Sequence, residues 1–306
     1  MPSSIRHYEQ RNHMNTDTYE IYHLKDAYTK EITLHHHDFY EIYFFLSGNV
    51  HYIIESRSYL LTPGDILLIR PMELHQPMFP TGQQNYERIV LWINRRFLDG
   101  LCLPEQDLRL CFNTTAPGHS NLLRPDPALQ QVLFYQLELL TEESKSEDRY
   151  SDLCAMSYVV QILVYLNRLA AQSGQEADPR TVSDSVMYRV LTYINDHYSE
   201  DLSLDCLAKE FFISKYHLSR EFNRLVGTSV HRYLTLKRLA MAKQMMADGT
   251  ASSAVYQHCG FGDYSTFYRA FKSEYQISPK EFTARLKASS ARETSPSRRL
   301  WEHMEK

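Results

Sequence analysis

Between residues 33 and 93 the apolar positions fall in short β-branched and aromatic runs, at 42–46, 51–54, 59–61, 66–69 and 89–93. Ser47-Gly48-Asn49, Thr62-Pro63-Gly64-Asp65 and Pro80-Thr81-Gly82 punctuate them with turn chemistry. Short strands this close together predict a small barrel or sandwich. After Pro127 the period lengthens: Leu129, Val132, Leu133, Leu137 and Leu140 form one helical stripe, and Leu153, Met156, Val160, Leu163, Val164 and Asn167 another. The charged stretch 142–149 separates the two helices, which cap the barrel, form a dimer seam, or do both. Residues 173–184 are polar and rich in breakers and read as a linker, 185–288 read as short helices throughout, and 289–306 lack periodicity and read as a flexible tail. The pattern therefore predicts an α+β chain of two domains, a β-barrel with two helices over 1–172 and an all-α domain over 185–288.

The helical half contains a repeat. Ser203 caps a short helix over 204–210, Phe211-Phe212-Ile213 makes a tight connection, and Ser214 caps a second helix over 215–225. Val255-Tyr256-Gln257-His258, the turn Cys259-Gly260-Phe261-Gly262, the cap Asp263 and a helix from Tyr264 to Tyr275 follow the same plan. Leu218/Phe267, Arg220/Arg269, Phe222/Phe271, Ser229/Ser278 and Tyr233/Phe282 all differ by 49 positions, and five pairs in one register indicate a duplicated unit. A longer helix over 230–247 would hold the two units apart. Each unit is a helix-turn-helix candidate. In the first, Leu218, Phe222 and Leu225 would be buried, leaving Lys215, Tyr216, Ser219, Arg220 and Asn223 outward.

Charge sharpens this picture. The total of −4 divides into 15 basic and 24 acidic residues over 1–185 and 14 basic and 10 acidic over 186–288. An acidic half joined to a basic half is expected when one domain alone meets a polyanion. The basic excess is small, so specific contacts from Arg220 and Arg269, both able to bind guanine or phosphate in a fork, should carry more of the affinity than bulk attraction.

The stretch from Gly260 to Lys272, closing with Ile277-Ser278-Pro279-Lys280-Glu281-Phe282, resembles the signature of the AraC/XylS family of bacterial transcription regulators. The resemblance implies a seven-helix DNA-binding domain with recognition helices over 215–225 and 264–275. By position, DNA contacts would come from Tyr216, Ser219 and Arg220, and from Tyr264, Ser265, Tyr268 and Arg269. Tyr256 stands where the family has a small residue, Gln276 where it has Gly, and Phe212 at a turn position that often holds Gly. The resemblance further implies activation through RNA polymerase, while the apolar stripe of the helix over 151–171 leads to the expectation of a homodimer through it.

The acidic half holds a histidine constellation. His35-x-His37-x-x-x-Glu41, with Gly48 beyond, resembles the first motif of the cupin barrel, and the segment from Pro63 to His75 resembles the second. Positions 35, 37 and 41 share strand parity and so one face. Three readings stand open. His35, His37, Glu41 and His75 suit a divalent metal; the same groups, with Tyr43, Arg88 and Trp92, could orient the hydroxyls of an effector such as a sugar without metal; or they form a structural network. The metal-free effector pocket leads, because the barrel of sugar-responsive AraC-type regulators is similar to this segment; no cofactor is required.

The longest apolar runs, such as 159–166, fall short of the roughly 20 residues a bilayer span needs, and the N-terminus lacks an apolar signal region. A cytoplasmic protein with no membrane partner is expected. Five widely spaced cysteines without a C-x-x-C pair argue against disulfides and a thiolate zinc site, and most should be buried. The expected function is a sequence-specific transcription regulator, an activator controlled by a small molecule such as a carbohydrate bound in the barrel, and not an enzyme. The competing reading, a metal-dependent cupin enzyme with a helical appendage, leaves the duplicated unit unexplained.

Overall fold

The computed structural model describes residues 13–28, 32–80, 84–113, 120–173 and 185–291. The expected linker lies, apart from Ser173, outside these residues, as does the tail beyond Ala291. The chain divides into two compact units, Met1–Val182 and Ser183–Lys306.

The first unit is built on eight strands: β1 (Tyr19–Tyr28), β2 (Tyr40–Ser47), β3 (His51–Ile54), β4 (Arg57–Leu60), β5 (Ile66–Ile69), β6 (His75–Met78), β7 (Gln84–Ile93) and β8 (Leu122–Leu123). They make one five-stranded sheet in the order β1-β7-β2-β5-β8 and one three-stranded sheet, β4-β3-β6, all antiparallel. Side-chain alternation divides the larger sheet between two cores. Ile42, Phe44, Ile66, Leu68, Ile89, Leu91 and Ile93 face the helices, whereas Tyr43, Phe45, Leu67, Ile69, Val90 and Trp92 face the interior between the sheets. Strands buried on both faces read as unbroken apolar runs, which is why β2, β5 and β7 stand out in the sequence.

Among the described residues three α-helices belong to this unit: α1 (Arg95–Leu101), α2 (Pro127–Glu143) and α3 (Ser151–Ser173). Asp126 caps α2 by accepting from the Leu129 amide at 2.9 Å, and Pro127 occupies the first helical position, where its missing N–H costs nothing. Leu133, Leu137 and Leu140 of α2 and Ala155, Val159, Ile162, Leu163 and Leu166 of α3 pack onto the sheet. Contrary to the expectation from run lengths, α3 is long and apolar enough to cross a membrane. It packs one face onto the sheet, and Gln161 accepts from Gln136 at 3.0 Å on its flank.

The second unit has seven helices among the described residues: α4 (Val186–Asp196), α5 (Leu204–Glu210), α6 (Lys215–Val226), α7 (Val230–Ala247), α8 (Val255–His258), α9 (Tyr264–Tyr275) and α10 (Pro279–Ala291). All five pairs of the 49-residue register occupy matching places. Leu218 and Phe267 are both fully buried, Ser229 and Ser278 each accept a backbone amide at 3.2 Å three residues on, and Arg220 and Arg269 are both exposed. The ring pair Phe222–Tyr233, 5.7 Å between centroids, recurs as Phe271–Phe282 at 5.9 Å.

Three expectations are corrected. The tail does not begin at Ser289, because α10 continues to Ala291. In α6 the buried stripe closes on Val226, and Leu225 is only half-buried. Only Cys111 and Cys259 are buried; Cys102 is intermediate, Cys154 and Cys206 are exposed, and all five are free thiols.

Candidate functional site

The interior face of the larger sheet and the neighbouring β3 and β6 enclose a cleft of about 450 Å³, solvent mouth included. Glu41 pairs across β2 and β7 with Trp92, and Phe45 with Arg88, so one face gathers Glu41, Tyr43, Arg88 and Trp92. His35 and His37 complete the predicted lining, and Ile32, Tyr52, Pro77 and Tyr86 complete the observed one.

The histidines do not reach the site by strand parity. Residues 35–38 precede β2, and His35 instead forms an isolated antiparallel bridge with His75 at the start of β6. The two residues exchange backbone hydrogen bonds of 2.9 and 3.2 Å, which sets their side chains on one face, with ring centroids 4.3 Å apart. His37 stacks flat on Phe39 at 3.9 Å, and its ring lies 4.8 Å from that of His75. His75 sits behind the cleft wall and is fully buried.

The hydrogen bonds decide the tautomers. The Nδ1 atoms of His35, His37 and His75 lie 2.9, 3.0 and 2.8 Å from the carbonyl oxygens of Thr33, Phe39 and Glu73. A carbonyl only accepts, so each Nδ1 donates, and in the neutral ring each Nε2 keeps its lone pair. Burial, and for His75 the neighbouring rings, hold His35 below and His75 well below the usual imidazole value. The Nε2 atoms of His37 and His75 are buried without a hydrogen bond. His37 Nε2 does lie 3.2 Å from Glu41 Oε2, but off the line a hydrogen bond requires. Trp92 Nε1 donates to the same Oε2 at 2.8 Å.

The other charges are balanced locally. Buried Arg88 donates to Asp26 and stacks over the Tyr86 ring at 4.1 Å, while the Tyr43 and Tyr86 hydroxyls bond each other. Beside His75, burial pushes the Glu73 carboxyl up to about 7, while it accepts from the Arg70 amide and side chain and from Asn121 Nδ2.

In the second unit, Ser214 caps α6 through the His217 amide and Asp263 caps α9 through the Thr266 amide and hydroxyl. Lys215, Tyr216, Ser219, Arg220 and Asn223 are exposed on α6; Tyr264, Ser265 and Arg269 are exposed on α9, with Tyr268 half-buried. Lys215 pairs with Asp205 at 2.5 Å. Arg220 is held by Glu221 at 3.1 Å, and Glu221 also binds Arg224 at 2.8 Å. Arg269 makes only long hydrogen bonds, 3.4 Å to the Ser265 carbonyl and 3.5 Å to Thr266 Oγ1. Tyr256 packs edge-on against Tyr264 at 5.9 Å, so its bulk supports the start of α9.

Sequence reasoning missed Tyr52 and Tyr86 in the cleft, and Asp26 as the partner of Arg88. Tyr86 shares the parity of Arg88 and Trp92 and was open to detection. Nothing local in β1 marks Asp26, which pairs with Tyr86 across the sheet.

Comparison with known proteins identifies both domains. An AraC-like ligand binding domain model matches residues 18–162, and a helix-turn-helix domain model matches residues 207–285. The HTH-type transcriptional activator RhaS of Enterobacter sp. (strain 638) is 28% identical over 257 residues, covering 81% of this chain and 86% of that one. RhaS of Escherichia coli O157:H7 is 26% identical over 254 residues with the same coverage. Among solved structures, unsaturated fatty acid bound ToxT from Vibrio cholerae covers 89% of this chain and 96% of its own, at 15% identity and a TM-score of 0.38, too distant to bear on this chain's ligand. The two matched domains together take in well over half of the 306 residues, and the chain belongs to the AraC family of helix-turn-helix, DNA-binding transcription regulators, proteins that carry a ligand-binding domain and are not enzymes.

Proposed function

We infer that the chain is a transcriptional activator controlled by a small uncharged polyhydroxylated effector, a carbohydrate, bound in the cleft of the first unit. The charge state of the cleft carries this reading. Among the described lining residues Arg88 is already paired with Asp26, and burial holds His35, like His75 behind the wall, below the usual imidazole value, so these side chains offer little free positive charge to an anionic ligand. What remains is a set of fixed acceptors and hydroxyls among Tyr43, Tyr52, Tyr86 and Trp92, which suits hydroxyl groups on a saccharide ring. The relatives' role as activators supports the sign of regulation and contact with RNA polymerase. The exposed Leu153 of α3 supports a homodimer through that helix. A regulator of this kind works in the cytoplasm, on the nucleoid. Effector binding alters DNA binding only through a differential affinity for two arrangements of the chain.

The test is a thermal-shift screen of the full chain against neutral sugars and the corresponding sugar acids, followed by gel shifts on promoter fragments over a salt series. A neutral sugar should raise the melting temperature and change promoter affinity. A response confined to the acids, or salt-insensitive binding without preference for any fragment, would overturn the reading.

A further inference from the structure

We propose that His37, His75 and Glu41 form a binding site for one divalent first-row transition-metal ion, placed so that the effector completes its coordination. The proposal rests on the effector reading above and adds a metal to the regulation of the same cleft. One donor atom from each of the three residues lies within 4.8 Å of the others, and all three side chains are buried. Two imidazoles and a carboxylate leave coordination positions open for outside oxygen donors.

Three observations support a cation over a self-satisfied network. Each imidazole gives its Nδ1 proton to a backbone carbonyl, the outer contact that orients a metal-ligating histidine and leaves Nε2 as the ligand. The Nε2 atoms of His37 and His75, on side chains 2% and 0% exposed, have no hydrogen-bond partner. A buried group of this kind costs about 1–3 kcal/mol unless something fills its lone pair. Moreover, the His37 lone pair and the Glu41 carboxylate face each other at 3.2 Å, two acceptors with no proton aligned between them, a contact that a cation turns from repulsive to attractive. Metal–ligand bonds of about 2.0–2.2 Å at tetrahedral angles set donors about 3.4 Å apart, so the most widely spaced donors need to close by about 1.4 Å. His35 lies outside the three-residue group. It lines the cleft, and its Nε2 is left to accept from the effector or to approach the ion from the open side.

The competing account is an imidazolium at His37 paired with Glu41, which needs no metal. The full chain, stripped with chelator and desalted, is titrated with Co(II) alone and with Zn(II) alone. Visible absorption reads the cobalt and calorimetry the zinc, with circular dichroism confirming the fold. One equivalent should bind with a cobalt ligand-field band. His75→Gln and His37→Gln should each weaken binding about 100-fold or more, and His35→Gln by less than about tenfold. Because His75→Gln fills a buried position, Glu41→Gln serves as the second variant; it keeps an acceptor for Trp92 and should also lose the metal. A folded wild-type chain that binds no stoichiometric metal, or variants that retain it, would overturn the site. A metal-free chain that still responds to a neutral sugar would overturn only the metal and leave the effector reading intact.

Discussion

The two helix-turn-helix units resolve the same turn in opposite ways, and this predicts substitutions of opposite sign. Gly260 has φ +76°, and a Cβ there would stand 2.5 Å from the Ser199 carbonyl oxygen and 2.8 Å from its carbon. Both are backbone atoms and cannot swing aside, so Gly260→Ala should cost more than about 2 kcal/mol. Phe212 holds the corresponding left-handed position at φ +55°, yet it is 95% exposed. Phe212→Gly therefore buries nothing less and relieves about 1–2 kcal/mol of left-handed backbone strain. The greater freedom of glycine in the unfolded chain returns about 0.5–1 kcal/mol, leaving a net gain near 0.5–1 kcal/mol. Urea-dependent hydrogen exchange of peptides from α6, α7 and α9 reads this unit apart from the first. With a urea slope of about 2 kcal/mol/M, the midpoint should rise about 0.3–0.5 M for Phe212→Gly and fall by about 1 M for Gly260→Ala. A lower midpoint for Phe212→Gly, or an unchanged one for Gly260→Ala, would refute the reasoning.

Arg269→Ala should weaken specific promoter binding by about 1–3 kcal/mol in gel shifts, and by more than Arg220→Ala, since Arg220 must first leave Glu221; equal losses would reject the distinction. At acid pH, Asp107 gives the first unit a defined limb, because hydrogen bonds from Arg109 hold its carboxyl down to about 2. Its contribution is full above the unfolded value near 3.9 and is lost as the pH falls toward 2. The pair is partly exposed, so the effect is no more than about 1 kcal/mol, and Asp107→Asn should flatten acid unfolding of this unit between those limits.

The elements that were legible are those whose burial is one-sided in helices or complete in strands. The apolar runs of β5 and β7 and the stripes of α2 and α3 announce themselves, and the 49-residue register located both helix-turn-helix units with their caps. β1 and β6 were missed because both are edge strands: β1 carries Glu20, Lys25 and Asp26, and β6 holds Pro77, which only an edge tolerates. The histidine cluster was found by motif, but by the wrong geometry. His35 reaches the cleft through its bridge to His75, a long-range pairing that no local periodicity encodes. Hence the four-residue set read along a strand becomes a three-residue group with His35 beside it.

The two helices that the resemblance assigns to DNA contact differ electrostatically. On α6 Lys215 pairs with Asp205 while Arg220 and Arg224 share Glu221, so three bases are offset by two acids and Arg220 must leave its carboxylate to meet another partner. Each such exchange trades one exposed ion pair for another, worth about 1 kcal/mol or less. On α9, Arg269 is held by long, weak bonds next to the exposed Ser265 and Tyr264, and reaching a base edge breaks nothing of consequence. The resemblance places both helices on DNA, and there Arg269 is the side chain freer to reach a base edge, whereas Arg220 must first leave Glu221.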